Sequence, residues 1–140
     1  MSMIEGDNFE DIYSFSGNYN LAYFFSGCNV INAKNLILPA TTLTSNCYNS
    51  MFYGCTLLET APELLAITLV TGCYNYMFRN CSNLNRIKAL FTTTPSTSYT
   101  NNWVNGVATN GTFIKNSAAQ WSITGVNGVP TNWTVQTVNP

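Results

Sequence analysis

One self-similarity constrains this chain more than any other feature: "CYNSMFYGC" at residues 47–55 returns as "CYNYMFRNC" at residues 73–81. Three longer segments align around it, "FFSGCNVINAKNLILPATTLTSNC" (24–47), "MFYGCTLLETAPELLAITLVTGC" (51–73) and "MFRNCSNLNRIKALF" (77–91). Cys28, Cys55 and Cys81 fall in one column at steps of 27 and 26, and Cys47 and Cys73 in a second. Phe25, Phe52 and Phe78 make a third column; Phe24, Met51 and Met77 make a fourth. A period near 26 residues is the length of one supersecondary unit that cannot bury its apolar face alone. Such units must stack, with atypical caps at the ends of the stack.

Within a unit the spacing predicts a helix followed by a short strand. Cys47, Met51, Phe52 and Cys55 stand at i, i+4, i+5 and i+8, which places them on one helical face. Ser45 or Asn46 can cap its start. Gly54 can supply the left-handed residue at its end, with Asn80 in that place one unit later. Cys73, Met77, Phe78 and Cys81 repeat the face. The extended pieces are "NAKNLIL" (32–38), "TAPELLA" (60–66) and "NRIKALF" (85–91), of which the second contains Pro62 and reads as loosely paired.

These residues resemble a known family. The pattern in "CYNSMFYGCTLLETAPEL" looks like the BspA-type leucine-rich repeats of bacterial surface proteins, common in gut Bacteroidetes and in phage-associated proteins of that community. The likeness covers about residues 19–91 and is strongest over 47–64; the first unit departs from it, with "LAYFFSGC" in place of Cys-Tyr-x-x-Met-Phe. It implies an α/β repeat, a short leucine-rich-repeat solenoid with a helix and a short strand in each coil, used for adhesion and without catalysis. The expected organisation is an N-terminal cap at 1–18, the solenoid at 19–98 and a C-terminal β-hairpin cap or small β module at 99–140. The last assignment rests on Asn-Gly at 105–106, 110–111 and 127–128, the strongest short hairpin signal. "GVATNGTFIK" reads as two strands about a turn at Asn110-Gly111, and "NWTVQTV" (132–138) as a final strand. Trp103, Phe113, Trp121 and Trp133 supply its core.

Composition narrows function. Charged residues are 8% of the 140, the net charge is −1, and four of the six acids lie within the first eleven residues. That leaves no electrostatic footprint for nucleic acid or for an anionic lipid surface. Histidine is absent from the chain, which removes the commonest general base and transition-metal ligand. Cysteines eight apart on a helix lie about 12 Å apart along its axis, too far for a disulfide or one zinc shell. The thiols are therefore expected to be free and buried as small apolar groups. No metal and no cofactor are expected, and the chain is not expected to be an enzyme.

The start is acidic and does not read as a signal peptide, and no apolar run approaches a bilayer's thickness. An extracellular or cell-surface segment of a longer chain is expected, or a virion component. The structural columns are Cys28, Cys47, Met51, Phe52, Cys55, Cys73, Met77, Phe78 and Cys81. Candidate contact residues on the strand face are Lys34, Asn35, Glu63, Arg86 and Lys88. Exposed aromatics make a second candidate surface: Tyr23, Tyr48 and Tyr53 lie near the repeat helices, and tryptophan faces can stack on sugars, although Trp103, Trp121 and Trp133 are expected in the core of the β cap. The expected activity is binding of a host protein or glycan by a cell-surface adhesion module. The alternative is a structural or receptor-binding segment of a phage tail or fibre, an oligomer in that setting.

Overall fold

The computed structural model describes residues 17–38 and 40–140. The N-terminal cap expected at 1–18 therefore lies outside the described residues except for its last two. Among the described residues there is no helix, and regular strand is confined to β1 (Arg86–Ala89), β2 (Thr112–Asn116) and β3 (Thr134–Val138). This overturns the expected α/β leucine-rich-repeat solenoid. The coils exist, but none contains a helix, and the leucine-rich-repeat description fails with it.

A ribbon of overlapping turns replaces the expected helix. In residues 46–55 the N–H groups of Cys47, Asn49, Met51, Tyr53 and Cys55 each donate to the carbonyl three residues back. The intervening N–H groups of Asn46, Tyr48, Ser50, Phe52 and Gly54 donate forward to Thr71, Cys73, Asn75, Met77 and Arg79 of the next coil. The carbonyls of Cys47, Asn49, Met51 and Tyr53 accept in turn from Leu21, Tyr23, Phe25 and Gly27 of the coil before. Half of the backbone groups are thus satisfied along the chain and half across it, so no buried donor is left over.

The ribbon is built on a four-residue repeat of left-handed conformation. Asn46, Ser50 and Gly54 have φ of 59°, 56° and 73°, and Gly72, Tyr76 and Asn80 have 69°, 56° and 63°. The left-handed residue occupies the third place of every second turn, as a type II turn requires. A right-handed helix cannot pass through such residues. The expectation of left-handed geometry at Gly54 and Asn80 agrees with these angles; the expectation of a helix before them does not.

A period of four still turns the same columns inward. Cys47, Tyr48, Met51, Phe52 and Cys55 are buried, as are Cys73, Tyr74, Met77, Phe78 and Cys81. Rings stack between coils: Phe25 on Phe52 at 5.3 Å, Phe52 on Phe78 at 5.8 Å, and Tyr48 on Tyr74 at 5.9 Å between centroids. Each such pair adds about 0.5–1.5 kcal/mol beyond the area it buries. The thiols stitch the coils as well. Cys55 Sγ donates to the Phe25 carbonyl and Cys81 Sγ to the Phe52 carbonyl, both at 3.0 Å. Cys28 departs from its column: it is exposed, because the coil that carries it has no described coil on its outer side.

A parallel sheet closes the opposite side of each coil. β1, β2 and β3 pair in that order, with Ile87 opposite Phe113 and Phe113 opposite Val135. Single bridges continue the row backward, Arg86 to Thr60 and Thr60 to Asn32. Parallel neighbours need a crossover between them, so the hairpin expected about Asn110-Gly111 does not form. Residues beyond 98 instead continue the stack. The N–H groups of Gly72, Tyr74, Tyr76, Phe78 and Asn80 donate to Ser98, Tyr99, Asn101, Trp103 and Asn105. Gly106 takes the left-handed column at φ 86°. Gly111 is a close approach: a Cβ there would meet the Asn85 carbonyl at 2.5 Å and the Trp133 ring at 2.7 Å.

The fourth coil ends against a short fifth turn. Asn127 Oδ1 accepts from the Asn102 N–H and the Asn127 carbonyl from the Thr100 hydroxyl, both at 2.7 Å. All three tryptophans are buried, and each indole N–H reaches a backbone carbonyl: Trp103 that of Gly128, Trp121 that of Phe91, Trp133 that of Ala108. Trp103 and Trp121 each meet Phe113 edge to face.

Candidate functional site

Two surfaces compete for the role of contact site. On the sheet side, Arg86 and Lys88 project outward from β1 between the buried Ile87 and Ala89. Lys88 Nζ meets Glu63 Oε1 of the preceding coil at 3.3 Å. The pair is solvent-exposed and adds little stability. It also cancels the charge of two of the five expected contact residues. Lys34 and Asn35 are exposed on a turn just after the Asn32 bridge, where the Lys34 N–H donates to Asn32 Oδ1 at 2.8 Å. The structure thus brings Glu63, Arg86 and Lys88 together on one face. Lys34 and Asn35 follow at the far end of the same row.

The turn-ribbon side carries the more shaped surface. Tyr23, Ser50, Tyr53, Tyr76 and Arg79 line an open cleft of about 300 Å³. Its geometry follows from the repeat. Tyr23, Ser50 and Tyr76 occupy one left-handed column in three successive coils, with φ of 60°, 56° and 56°. A small side chain between two large ones leaves a slot, and Ser50, itself buried, forms its floor. Tyr53 and Arg79 occupy the column three residues on and form its side. Tyr76 is held in place by its hydroxyl, which accepts from Asn101 Nδ2 at 2.9 Å. Arg79 lies over the Tyr76 ring at 5.8 Å from its centroid, within cation–π range. The Arg79 Nε is shut off from solvent and meets no acceptor among the described residues.

Of the tyrosines expected from sequence, Tyr23 and Tyr53 reach this cleft. Tyr48 does not: it is buried against Tyr74. Ser50, Tyr76 and Arg79 escaped the sequence reading, although a signal existed. When "CYNSMFYGC" is set against "CYNYMFRNC", the differences fall at Ser50/Tyr76, Tyr53/Arg79 and Gly54/Asn80. Columns that vary between stacked copies are those that do not face the shared core. Two of the three line the cleft.

The thiols offer no comparable chemistry. Burial pushes Cys47 up to about 11 and both Cys73 and Cys81 up to about 12, and it raises Cys55 as well. Such groups stay protonated and unreactive at neutral pH. Among the described residues no cluster of three His, Cys, Asp or Glu side chains is placed to hold a metal, and no helix is long and apolar enough to cross a membrane. Comparisons with protein-family models, with curated proteins and with solved structures gave no match for this chain.

Proposed function

We propose that this chain is a non-catalytic binding module, part of an adhesion protein at a cell surface, that holds its ligand in the cleft formed by Tyr23, Ser50, Tyr53, Tyr76 and Arg79. The observation that carries this reading is the slot over Ser50. There a small side chain sits between two tyrosines of one left-handed column, with a cation beside it. Binding sites are concavities in which aromatic surface supplies contact area and a few fixed polar groups supply orientation. The rigid ribbon holds these side chains in register before any ligand arrives, which lowers the entropic cost of binding.

The direct test fills the slot. Ser50→Tyr completes the tyrosine column with the side chain its two neighbours already carry, so the coils are expected to stack as before. Immobilised wild-type protein is screened against glycan and surface-protein arrays, and each positive is repeated with Ser50→Tyr. Loss of the positives with an unchanged melting temperature supports the cleft. Positives that survive Ser50→Tyr but vanish when Arg86 and Lys88 are changed to Gln would move the site to the sheet face.

A further inference from the structure

The chemistry of the cleft is more specific than its shape. Three of its five lining residues are tyrosines, one is serine and one is arginine; no aliphatic side chain takes part. Tyrosine and arginine also anchor protein contacts, so an acidic peptide is the competing occupant that the test must separate. Ring faces edged with hydroxyls suit a ligand that is itself apolar on one face and hydroxylated at its rim, which describes a pyranose. Arg79 then sets the charge. Lys88 is paired with Glu63, whereas the Arg79 guanidinium meets no carboxylate among the described residues. Of the described acids, Glu63 is engaged on the sheet row and Glu59 follows the same row, its N–H bonded to the Ile31 carbonyl and its carbonyl to the Asn85 N–H.

The Arg79 Nε is closed to solvent, but the residue as a whole is half-buried and lines the cleft, so an arriving oxygen anion is taken by the terminal guanidinium nitrogens. A planar guanidinium fits a carboxylate through two parallel N–H···O bonds, a geometry that lysine does not offer. The Tyr76 ring beneath it and the Asn101 contact behind that ring keep the fork from swinging freely.

We propose that the cleft is a subsite for a carboxylated pyranose, a uronic-acid or sialic-acid unit of a glycan. The ring stacks between Tyr23 and Tyr76 over Ser50, and the carboxylate is taken by Arg79. This rests on the reading of the cleft as the ligand site and adds the ligand's class.

The test uses the full chain in calorimetric or fluorescence titrations with trigalacturonic acid, its methyl ester, sialyllactose, lactose and tetra-aspartate. The expected result is that at least one sugar acid binds at least tenfold more tightly than its uncharged counterpart. Arg79→Gln removes that preference, Arg79→Lys restores part of it, and added salt weakens only the acid. Which of the two acids binds separates a uronic from a sialic ligand. Equal affinity for acid and neutral sugar, or no effect of Arg79→Gln, overturns the proposal; loss of that binding in Ser50→Tyr would still leave the cleft as the ligand site. Tetra-aspartate binding as tightly as the sugar acids, with the same Arg79 dependence, overturns the sugar assignment in favour of an acidic peptide. If none of the probes bind and array positives are indifferent to Ser50→Tyr, the proposal and the reading of the cleft fall together.

Discussion

Ser50 separates the observed ribbon from a helix by the size of one free-energy difference. Its φ of 56° is left-handed, and its side chain donates to Asn49 Oδ1 at 2.8 Å. Both Ser50→Gly and Ser50→Ala delete that hydrogen bond, so comparing the two variants with each other leaves the backbone effect and one Cβ at a buried position. Alanine in the left-handed region costs roughly 1–2 kcal/mol that glycine does not incur. Glycine loses about 0.4–1 kcal/mol of that advantage through the greater freedom of its unfolded chain. The missing buried methyl removes about 0.8 kcal/mol more. The two variants should therefore lie within about 0.5 kcal/mol of each other, from the same terms. Were Ser50 inside a helix, alanine would win by about 0.8–1 kcal/mol of propensity and the same methyl besides, roughly 1.7 kcal/mol in all. The two structures thus differ by well over 1 kcal/mol, a separation that urea unfolding resolves when the two m values agree. In a domain of this size a helix would part the two melting temperatures by about 4–6 °C, read by tryptophan fluorescence or calorimetry. An alanine variant more stable than the glycine variant by over about 1 kcal/mol would refute the ribbon at this position.

Other outcomes test the stacking itself. Gly72→Ala should destabilise by about 2 kcal/mol, because φ is 69° there and the new methyl collides with the Asn46 amide. Adding Asn46→Gly should recover about 1 kcal/mol in a double-mutant cycle, and strict additivity would deny the contact. The thiols tie stability to alkaline pH. Their folded values of about 11 for Cys47 and about 12 for Cys73 and Cys81 lie above the ordinary 9.0, so their contribution is complete below about pH 9 and is lost as pH rises towards 11–12. The unfolding free energy read from urea titrations should fall between pH 9 and 10 by at most about 1.4 kcal/mol per thiol, and replacing the three by Ala should flatten that slope. In the folded protein at pH 8 a thiol reagent should label Cys28 quickly, and all five after denaturation.

The stacking was written plainly in the sequence, while the conformation of the stacked piece was not. Columns such as Cys55/Cys81 and Phe52/Phe78 mark which side chains meet across coils, and they are buried together. They do not distinguish a helix from a ribbon of turns, because burial at i, i+4 and i+8 satisfies a period of 3.6 and a period of 4 alike. The deciding residues are Ser50 and Tyr76, whose left-handed φ no local propensity announces. They are held by their N–H bonds to Asn75 and Asn101 of the next coil, a tertiary effect. The C-terminal third hid its membership for another reason. Trp103 follows Met77 and Val107 follows Cys81 at steps of 26, but the cysteine and methionine signature is gone and the Asn-Gly pairs resemble hairpin turns. In the structure Gly106 serves the left-handed column and Gly111 gives way to Trp133. The cleft was half legible. Tyr23 and Tyr53 stood out as aromatics, but Arg79 acquires meaning only when the gap over Ser50 is set beside it.

The row of forward-pointing N–H groups has a mechanical consequence. Each ribbon grips the next through five bonds that run from coil to coil, as from Asn46–Gly54 to Thr71–Arg79. A pull on the two ends of the chain loads the outermost row first and leaves the inner rows shielded. The stack should then give way one coil at a time. Each release frees a period of chain that extends to roughly 90 Å, at about 3.3–3.6 Å per residue. Such a stack is expected to lengthen in equal steps under load and to re-form when it is slackened, like a row of small fuses.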